Sequence, residues 1–283
     1  MLFEDAFEEY KIYASKRHKK QGLDTITKNF KLHILPYFRG RGLNELTKRD
    51  IVNWQNKIYD RNFSNNFNRN LYYEFSAFMR FCVYFSYLDN NLVLEVEKFK
   101  KKYEYKPHKV YTLWQFRRFR FFLNDFVIKQ YFNFMYFYGT RPSEAMALRF
   151  NDIERYYVHI RHSIQRKGKR ALDTPKNASS VRDIKIDLIM RFRIWLLKRY
   201  YIKVYGYCCN DFFIFGGIKP LAPTTIDRYK KDACNKANLY CITQHEFRHS
   251  YATRMIRKKK PINVVSKSMG HSTVSMTVDV YLH

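Results

Sequence analysis

Aromatic residues at helical spacing dominate the first third of the chain. Phe3, Phe7, Tyr10 and Tyr13 recur at intervals of four, three and three residues, which describes one face of a helix. We expect this helix to run from Phe3 to about His18. At this spacing the aromatic side chains are better explained as core than as platforms on which exposed bases would stack.

Three further helices are predicted before residue 97. The first covers residues 23–35, and Pro36 then ends or kinks it because proline has no amide hydrogen to donate. The second begins after Thr47, a candidate N-cap with Asp50 three residues later. The third covers residues 66–87 and carries a long apolar stripe. The four helices predict a small all-helical domain over residues 1–97.

A basic run interrupts this periodicity at residues 98–111. It contains Pro107 and a cluster of lysines, and no apolar period continues through it. We interpret it as a linker between two domains. Such a run is more often a solvated segment than a specific site, although a linker that lies across DNA would satisfy both interpretations.

Residues 112–283 predict a second, mixed domain. Alternating, β-branched segments at 156–164 and 181–186 flank a basic, turn-rich loop, which indicates a small antiparallel sheet. Helices are expected at 112–126, 127–138, 188–200 and 224–238, and a short strand at 212–215. The predicted fold class is therefore mainly α with a small antiparallel sheet.

The net charge of the chain indicates what kind of partner it binds. Lys and Arg number 53 against 25 Asp and Glu, a formal charge of +28, and a protein of this charge should bind a polyanion. Nucleic acid is the leading candidate. A membrane surface is less favoured, because the basic residues are spread along the chain and interleaved with core-like positions. The chain is 46% hydrophobic, which supports folded cores despite the charge.

Five cysteines are present, an odd number without the spacing of metal ligands. We expect reduced, mostly buried thiols and no metal site. The acidic N-terminus has no basic region followed by an apolar run, so no signal peptide is predicted. No stretch approaches about eighteen uncharged apolar residues. A soluble, cytoplasmic protein is expected. The cysteines are Cys82, Cys208, Cys209, Cys234 and Cys241.

Two arginines are candidates for holding a phosphate. Arg141 lies between Gly139, which permits a turn, and Pro142, which suits the first turn of a helix, so an anion could be held there. His245 and Arg248 are three residues apart and would share one helical face. Two guanidinium groups could clamp the non-bridging oxygens of one phosphodiester.

The remaining candidates supply a nucleophile and proton transfer. Tyr281 could attack a backbone phosphate, which would form a phosphotyrosyl bond and release a sugar hydroxyl. Lys176 in the basic loop is a reasonable acid for the leaving oxygen, and His245 could help to take the tyrosine proton. His271, after Gly270, could donate to the same phosphate. Singly, each has an ordinary alternative, since a lone histidine is often packed or solvated and a terminal tyrosine is often exposed.

Taken together, these residues resemble a known family. The fragments GTRPSEAMALR, TPKNASSVR, HEFRHSYATRMI and MGHSTVSMTVDVYLH resemble, in this order, the catalytic domain of tyrosine recombinases, the integrases of phages and conjugative transposons. The resemblance spans roughly residues 110–283, and the first hundred residues are similar to the helical core-binding domain of that family. It divides the chain into a core-binding domain (1–97), a basic linker (98–111) and a catalytic domain (112–283).

The resemblance implies both chemistry and assembly. It implies a DNA recombinase that cuts and rejoins strands through a 3'-phosphotyrosyl intermediate and a Holliday junction, without metal or cofactor. Its partners would be double-stranded DNA, held in a C-shaped clamp, and three further copies in a homotetramer on two sites. Accessory DNA-bending proteins are further candidate partners. The implied site residues are Arg141, Lys176, His245, Arg248, His271 and Tyr281. Lys167, Lys169 and Lys185 are alternatives to Lys176.

Three other functions stay open at this point. A Xer-like resolvase would share the whole constellation, and a type IB topoisomerase would share the catalytic residues while relaxing DNA without exchanging partners. A catalytically inactive DNA-binding regulator is the non-enzymatic alternative. We also expect no separate arm-binding domain before the helices, and two residues follow Tyr281. We therefore expect activation to depend on a neighbouring protomer or on the bound DNA.

Overall fold

The computed structural model describes residues 1–99, 109–164, 172–173 and 180–275. The chain forms two compact units, Met1–Tyr105 and Lys106–His283. The predicted linker at 98–111 falls largely outside the described residues. The same is true of Lys167, Lys169, Lys176 and Tyr281, whose predicted roles stay predictions.

The first unit contains the four predicted helices. The N-cap predicted at Thr47 is confirmed, because its hydroxyl accepts from the Asp50 amide at 3.3 Å and its own amide donates to the Asp50 carboxylate at 2.8 Å. Pro36 lies in a short extra helix, and the preceding helix ends at His33, so the predicted break is also confirmed. The helices are α1 Phe3–Ser15, α2 Lys20–His33, α3 Leu35–Phe38, α4 Lys48–Asp60 and α5 Asn65–Tyr84.

Aromatic side chains fill the core of the first unit, as their spacing predicts. Phe7 of α1 stacks on Phe30 of α2 with ring centroids 4.3 Å apart, and Phe3 meets Phe78 of α5 at 5.0 Å. All four are fully buried. Burying each such side chain contributes about 1.5–3 kcal/mol, and aromatic pairing adds about 0.5–1.5 kcal/mol. These rings hold α1, α2 and α5 together and are not available to stack on bases.

The second unit is helical around a small sheet, which confirms the predicted fold class. Its central helix, α7, buries residues on nearly its whole circumference, so the loop that follows starts from a rigid base. None of the described helices is long and apolar enough to cross a membrane. The helices are α6 Leu113–Phe121, α7 Phe126–Tyr138, α8 Pro142–Ala147, α9 Leu188–Tyr205, α10 Pro223–Lys236, α11 Gln244–Arg257 and α12 Ile262–Met269.

The described strands form two antiparallel groups. A sheet of order β1-β2-β5 pairs Val158 with Ile184 and Ile160 with Arg182. The other two described strands form a small ladder that pairs Ser163 with Asp173. The strands are β1 Ile153–Glu154, β2 Tyr157–Ile160, β3 Ser163–Ile164, β4 Leu172–Asp173 and β5 Arg182–Lys185.

Two local predictions are wrong. Residues 212–215 do not form a strand but lead into a tight reversal, in which Phe213 and Gly217 exchange backbone hydrogen bonds at 2.8 and 2.9 Å. Positive φ angles at Gly216 and Gly217 allow this reversal. The five cysteines are free thiols, but only Cys82 and Cys234 are buried.

Candidate active site

Arg141 is held at the start of α8, where the sequence places it. Its backbone amide donates to the Glu144 carboxylate at 2.9 Å, and its Nη1 donates to the same carboxylate at 2.6 Å and to the Ser180 hydroxyl at 3.1 Å. Pro142 occupies the first turn of the helix, as predicted. A carboxylate from the chain itself therefore caps this helix start, and the Arg141 side chain is the group that can face an external anion.

Arg248 is buried, although its spacing from His245 describes an ordinary amphipathic helix. It lies on α11 and is 1% exposed. Its Nη1 donates to the Gly139 carbonyl at 3.0 Å, and its Nη2 donates to the Met269 carbonyl at 2.6 Å. His245 lies one turn earlier on the same helix and is exposed. The helix thus presents an accessible histidine next to a fixed guanidinium.

Consecutive carbonyls at the end of α12 anchor both arginines. Arg248 donates to the Met269 carbonyl, and Arg141 donates through Nη2 to the Gly270 carbonyl at 2.8 Å. Gly270 ends the helix in the left-handed conformation with φ +66°, which glycine adopts readily. His271 follows directly, so three predicted site residues meet at this turn.

The electrostatics of His271 place His245 near the group formed by Arg141, Arg248 and His271. Burial, together with the smaller effects of the nearby Arg248, Arg141, His245 and Arg182, lowers the pKa of His271 to about 4. In the free protein the imidazole is therefore neutral at pH 7. A neutral imidazole carries one N–H donor, which suits contact with a phosphate oxygen.

Two residues of the site were missed by sequence reasoning. Arg182 on β5 forms a paired contact with Glu144, Nη2 to Oε2 at 2.8 Å and Nη1 to Oε1 at 3.2 Å. The sequence contained a signal for both Arg182 and Glu144. Glu144 lies three residues after the helix start at Arg141, and the strand alternation puts Arg182 on the same face as the buried Ile184.

The site is electropositive despite its carboxylate. Burial by itself would raise the pKa of Glu144, but hydrogen bonds and charge from Arg182, with further charge from Arg141 and Arg248, hold that pKa below its ordinary value. The carboxylate is thus ionised at neutral pH. Three guanidinium groups around one carboxylate leave a net positive charge, which favours an anion.

The structure bears on one of the alternative lysines. Lys185 lies at the end of β5 with an exposed side chain, whereas Arg182 and Ile184 are buried. Alternation along the strand puts Lys185 on the face opposite Ile184. This position disfavours Lys185 as the acid.

Replacing Gly139 with alanine is expected to destabilise the second unit. Gly139 has φ +66°, and an added Cβ would lie 2.3 Å from Cδ1 of Tyr251. Left-handed strain together with this overlap should cost about 1–3 kcal/mol or more. The Arg248 anchor would also move, because the Gly139 carbonyl accepts from Arg248. The thermal unfolding temperature and the rate of DNA cleavage should both be lower than in the wild type.

Gly206 offers a matched control for this substitution. It also has positive φ, +81°, but nothing lies within 4 Å of its added Cβ. Gly206→Ala should therefore show the conformational strain alone and leave cleavage near the wild-type rate. Equal losses of stability in the two variants would contradict the role of the Tyr251 contact.

His271 should make the free protein less stable in mild acid. Its folded pKa of about 4 lies below the ordinary value of 6.5, so the unfolded chain binds more protons between these values. The contribution of the neutral side chain is present above pH 6.5 and is lost as the pH falls towards 4. Urea unfolding across this range should show a weaker pH dependence in His271→Gln. Superimposable pH curves for variant and wild type would contradict this expectation.

Comparisons with known proteins identify the family of the chain. Residues 113–283 match the family described as Phage integrase family, and residues 2–59 match Phage integrase, N-terminal SAM-like domain. The ICEBs1 integrase of Bacillus subtilis (strain 168) is 23% identical over 272 residues, which cover 89% of this chain and 70% of that protein.

Two solved structures share the fold. The Tn1549 transposon integrase in complex with transposon right end DNA has a TM-score of 0.80 at 17% identity and covers 100% of this chain and 95% of its own. The lambda integrase tetramer bound to a Holliday junction has a TM-score of 0.77 at 15% identity and covers 99% and 77%. With the family match over more than half of its length, the chain belongs to the phage integrase family of tyrosine recombinases.

Proposed function

We propose that this chain is an integrase that recombines duplex DNA through a 3'-phosphotyrosyl bond to Tyr281. The observation that carries the proposal is the anchoring of Arg141 and Arg248 on the adjacent Gly270 and Met269 carbonyls, next to His271. Two guanidinium groups fixed in this way can bind the non-bridging oxygens of a single phosphodiester. Their positions are set before DNA binds, so little reorganisation is needed at the moment of reaction.

The reaction requires one bond to form as another breaks. The Tyr281 oxygen attacks the phosphorus, and the bond to the 5' oxygen of the leaving strand breaks. His245 assists removal of the tyrosine proton, and Lys176 gives a proton to the leaving oxygen. Arg141, Arg248 and neutral His271 stabilise the charge that builds on the phosphate. The phosphotyrosyl bond conserves the energy of the original link, so a 5' hydroxyl from a second duplex can reverse the step without a nucleotide cofactor.

The proposed assembly is a homotetramer on two duplex sites. The solved lambda integrase that shares this fold is a tetramer bound to a Holliday junction. The formal charge of +28 favours a DNA partner, since neutralising phosphates releases counterions. Accessory DNA-bending proteins would complete the assembly, and the reaction would take place on DNA in the cytoplasm.

A trapping experiment tests the chemistry. Target duplexes are selected by binding from a random-sequence pool and rebuilt with a nick beside the cleavage position, so that the leaving fragment diffuses away. We expect a covalent protein–DNA adduct, and peptide mapping should place the nucleotide on Tyr281. No adduct with the intact protein would contradict the proposal and favour an inactive DNA-binding regulator.

A second assay separates recombination from relaxation. Two duplexes with different labels are incubated with the protein, and joined products carrying both labels are expected. Relaxation of supercoiled DNA without joined products would instead indicate an activity like that of a type IB topoisomerase.

A further inference from the structure

We propose that Arg182 is a positioning residue for the recombination chemistry, because it holds Glu144 and the end of α12 in the arrangement that lets Arg141 face a phosphate. This inference rests on the proposed function. Arg182 is 9% exposed and belongs to a strand, and its guanidinium contacts chain groups in the site. It acts on the reaction through other residues.

The contacts of Arg182 join three parts of the site. Nε donates to the Ser268 carbonyl near the end of α12 at 2.8 Å. Nη1 donates to the Ser180 carbonyl at 2.9 Å, and the terminal nitrogens pair with the Glu144 carboxylate. One guanidinium therefore fixes α8, α12 and Ser180.

Ser180 and Glu144 also connect Arg182 to Arg141. The Ser180 hydroxyl accepts from Arg141 while its carbonyl accepts from Arg182, and the Glu144 carboxylate accepts from both arginines. The same two neighbours thus orient both guanidinium groups. A planar fork is needed for this set of contacts, and a lysine could reproduce only part of it.

Charge balance gives Arg182 a role beyond packing. The side chains of Glu144 and Arg182 are 3% and 7% exposed, so the carboxylate depends on protein cations for its neutralisation. The charged groups that face Glu144 are Arg182 on β5, Arg141 before α8 and Arg248 on α11, and His271 lies beside these arginines. Without Arg182, Glu144 would draw more heavily on Arg141 and compete with the phosphate for it.

The test compares single-turnover cleavage with DNA affinity in folded variants. Arg182→Met should lower the cleavage rate by about 30-fold or more, as expected for loss of an oriented charge, while the DNA Kd changes by less than about threefold. Arg182→Lys keeps the charge without the fork and should lose about tenfold. Lys230→Met is the matched control, since Lys230 is a buried cation on α10 paired with Asp227 at 3.0 Å, and its cleavage rate should stay near wild type.

Rescue distinguishes positioning from simple stabilisation. The double variant Arg182→Met/Glu144→Gln should cleave about tenfold faster than Arg182→Met alone, because the neutral amide no longer competes for Arg141. In Arg182→Met alone, the loss should shrink as the pH is lowered and Glu144 becomes protonated, and the double variant should not show this trend. A structural role alone would produce neither effect.

Each outcome has a defined meaning. Cleavage by Arg182→Lys within about threefold of wild type would overturn the inference, even if Arg182→Met fails to fold. A loss in Arg182→Met that neither Glu144→Gln nor lower pH relieves would also overturn it. These results are distinguishable from failure of the proposed function, in which the wild-type protein itself would form no adduct at Tyr281.

Discussion

Changing Tyr281 to phenylalanine is expected to abolish the covalent adduct while leaving DNA binding intact. The substitution removes one oxygen, the atom that would form the bond to phosphorus, and no other hydroxyl replaces it in the proposed reaction. The rate should fall below detection, because the arginines can stabilise a displacement only if a nucleophile is present. Affinity should persist, since phosphate contacts and the positive charge of the chain are unchanged.

The measurement pairs adduct formation on the nicked substrate with a binding titration at one fixed salt concentration. Tyr207→Phe is a suitable control, because Tyr207 is 57% exposed and lies in the loop after α9. It should form the adduct at the wild-type rate. An adduct in Tyr281→Phe would show that another residue is the nucleophile and would require the assignment to be revised.

Much of the fold could be predicted because the aromatic residues are placed at helical intervals and are large enough to dominate the cores. Phe3, Phe7 and Phe30 lie in the core that their spacing describes. The prediction at residues 212–215 failed for a local reason. That segment is rich in β-formers, but the two glycines after it permit a reversal that a short-range pattern does not distinguish from a strand end.

Some of the predicted site residues come together in the structure, but the contacts that hold them could not be predicted from the sequence. Arg141, Arg248 and His271 lie close together, as the order of motifs implies. The carbonyls that anchor the two arginines belong to the backbone, so the pattern of side chains does not predict them. Burial of Arg248 also depends on tertiary contacts across more than one hundred residues. The pairing of Arg182 with Glu144 was partly readable from strand alternation, yet its partner could be identified only in three dimensions.

Changing Arg248 to lysine should lower both the stability of the second unit and the cleavage rate, although the positive charge is retained. The Arg248 fork spans the carbonyls of Gly139 and Met269 at 3.0 and 2.6 Å, and one ammonium cannot reproduce both contacts and also meet a phosphate bidentately. Leaving a buried carbonyl unsatisfied should destabilise the second unit by about 1–3 kcal/mol. Cleavage should fall by about 10²–10³-fold, the usual effect of removing one preorganised donor from a developing anion.

A second arginine on the same helix, Arg254, allows the effect on stability to be separated from the effect on cleavage. Arg254 also lies on α11 and also donates to carbonyls near the end of α7, to Tyr136 and Phe137 at 3.2 Å each. Both of these contacts come from one nitrogen, Nη2, and the guanidinium also lies over the Tyr136 and Phe137 rings at 5.0 and 4.8 Å. Arg254→Lys should therefore also lower stability, because an ammonium cannot reproduce the planar contact with the two rings. Its cleavage rate, measured below the melting temperature of both variants, should remain within about threefold of wild type. If the two variants lose cleavage equally, Arg248 supports the helix contact alone, and the phosphate clamp must be assigned to other side chains.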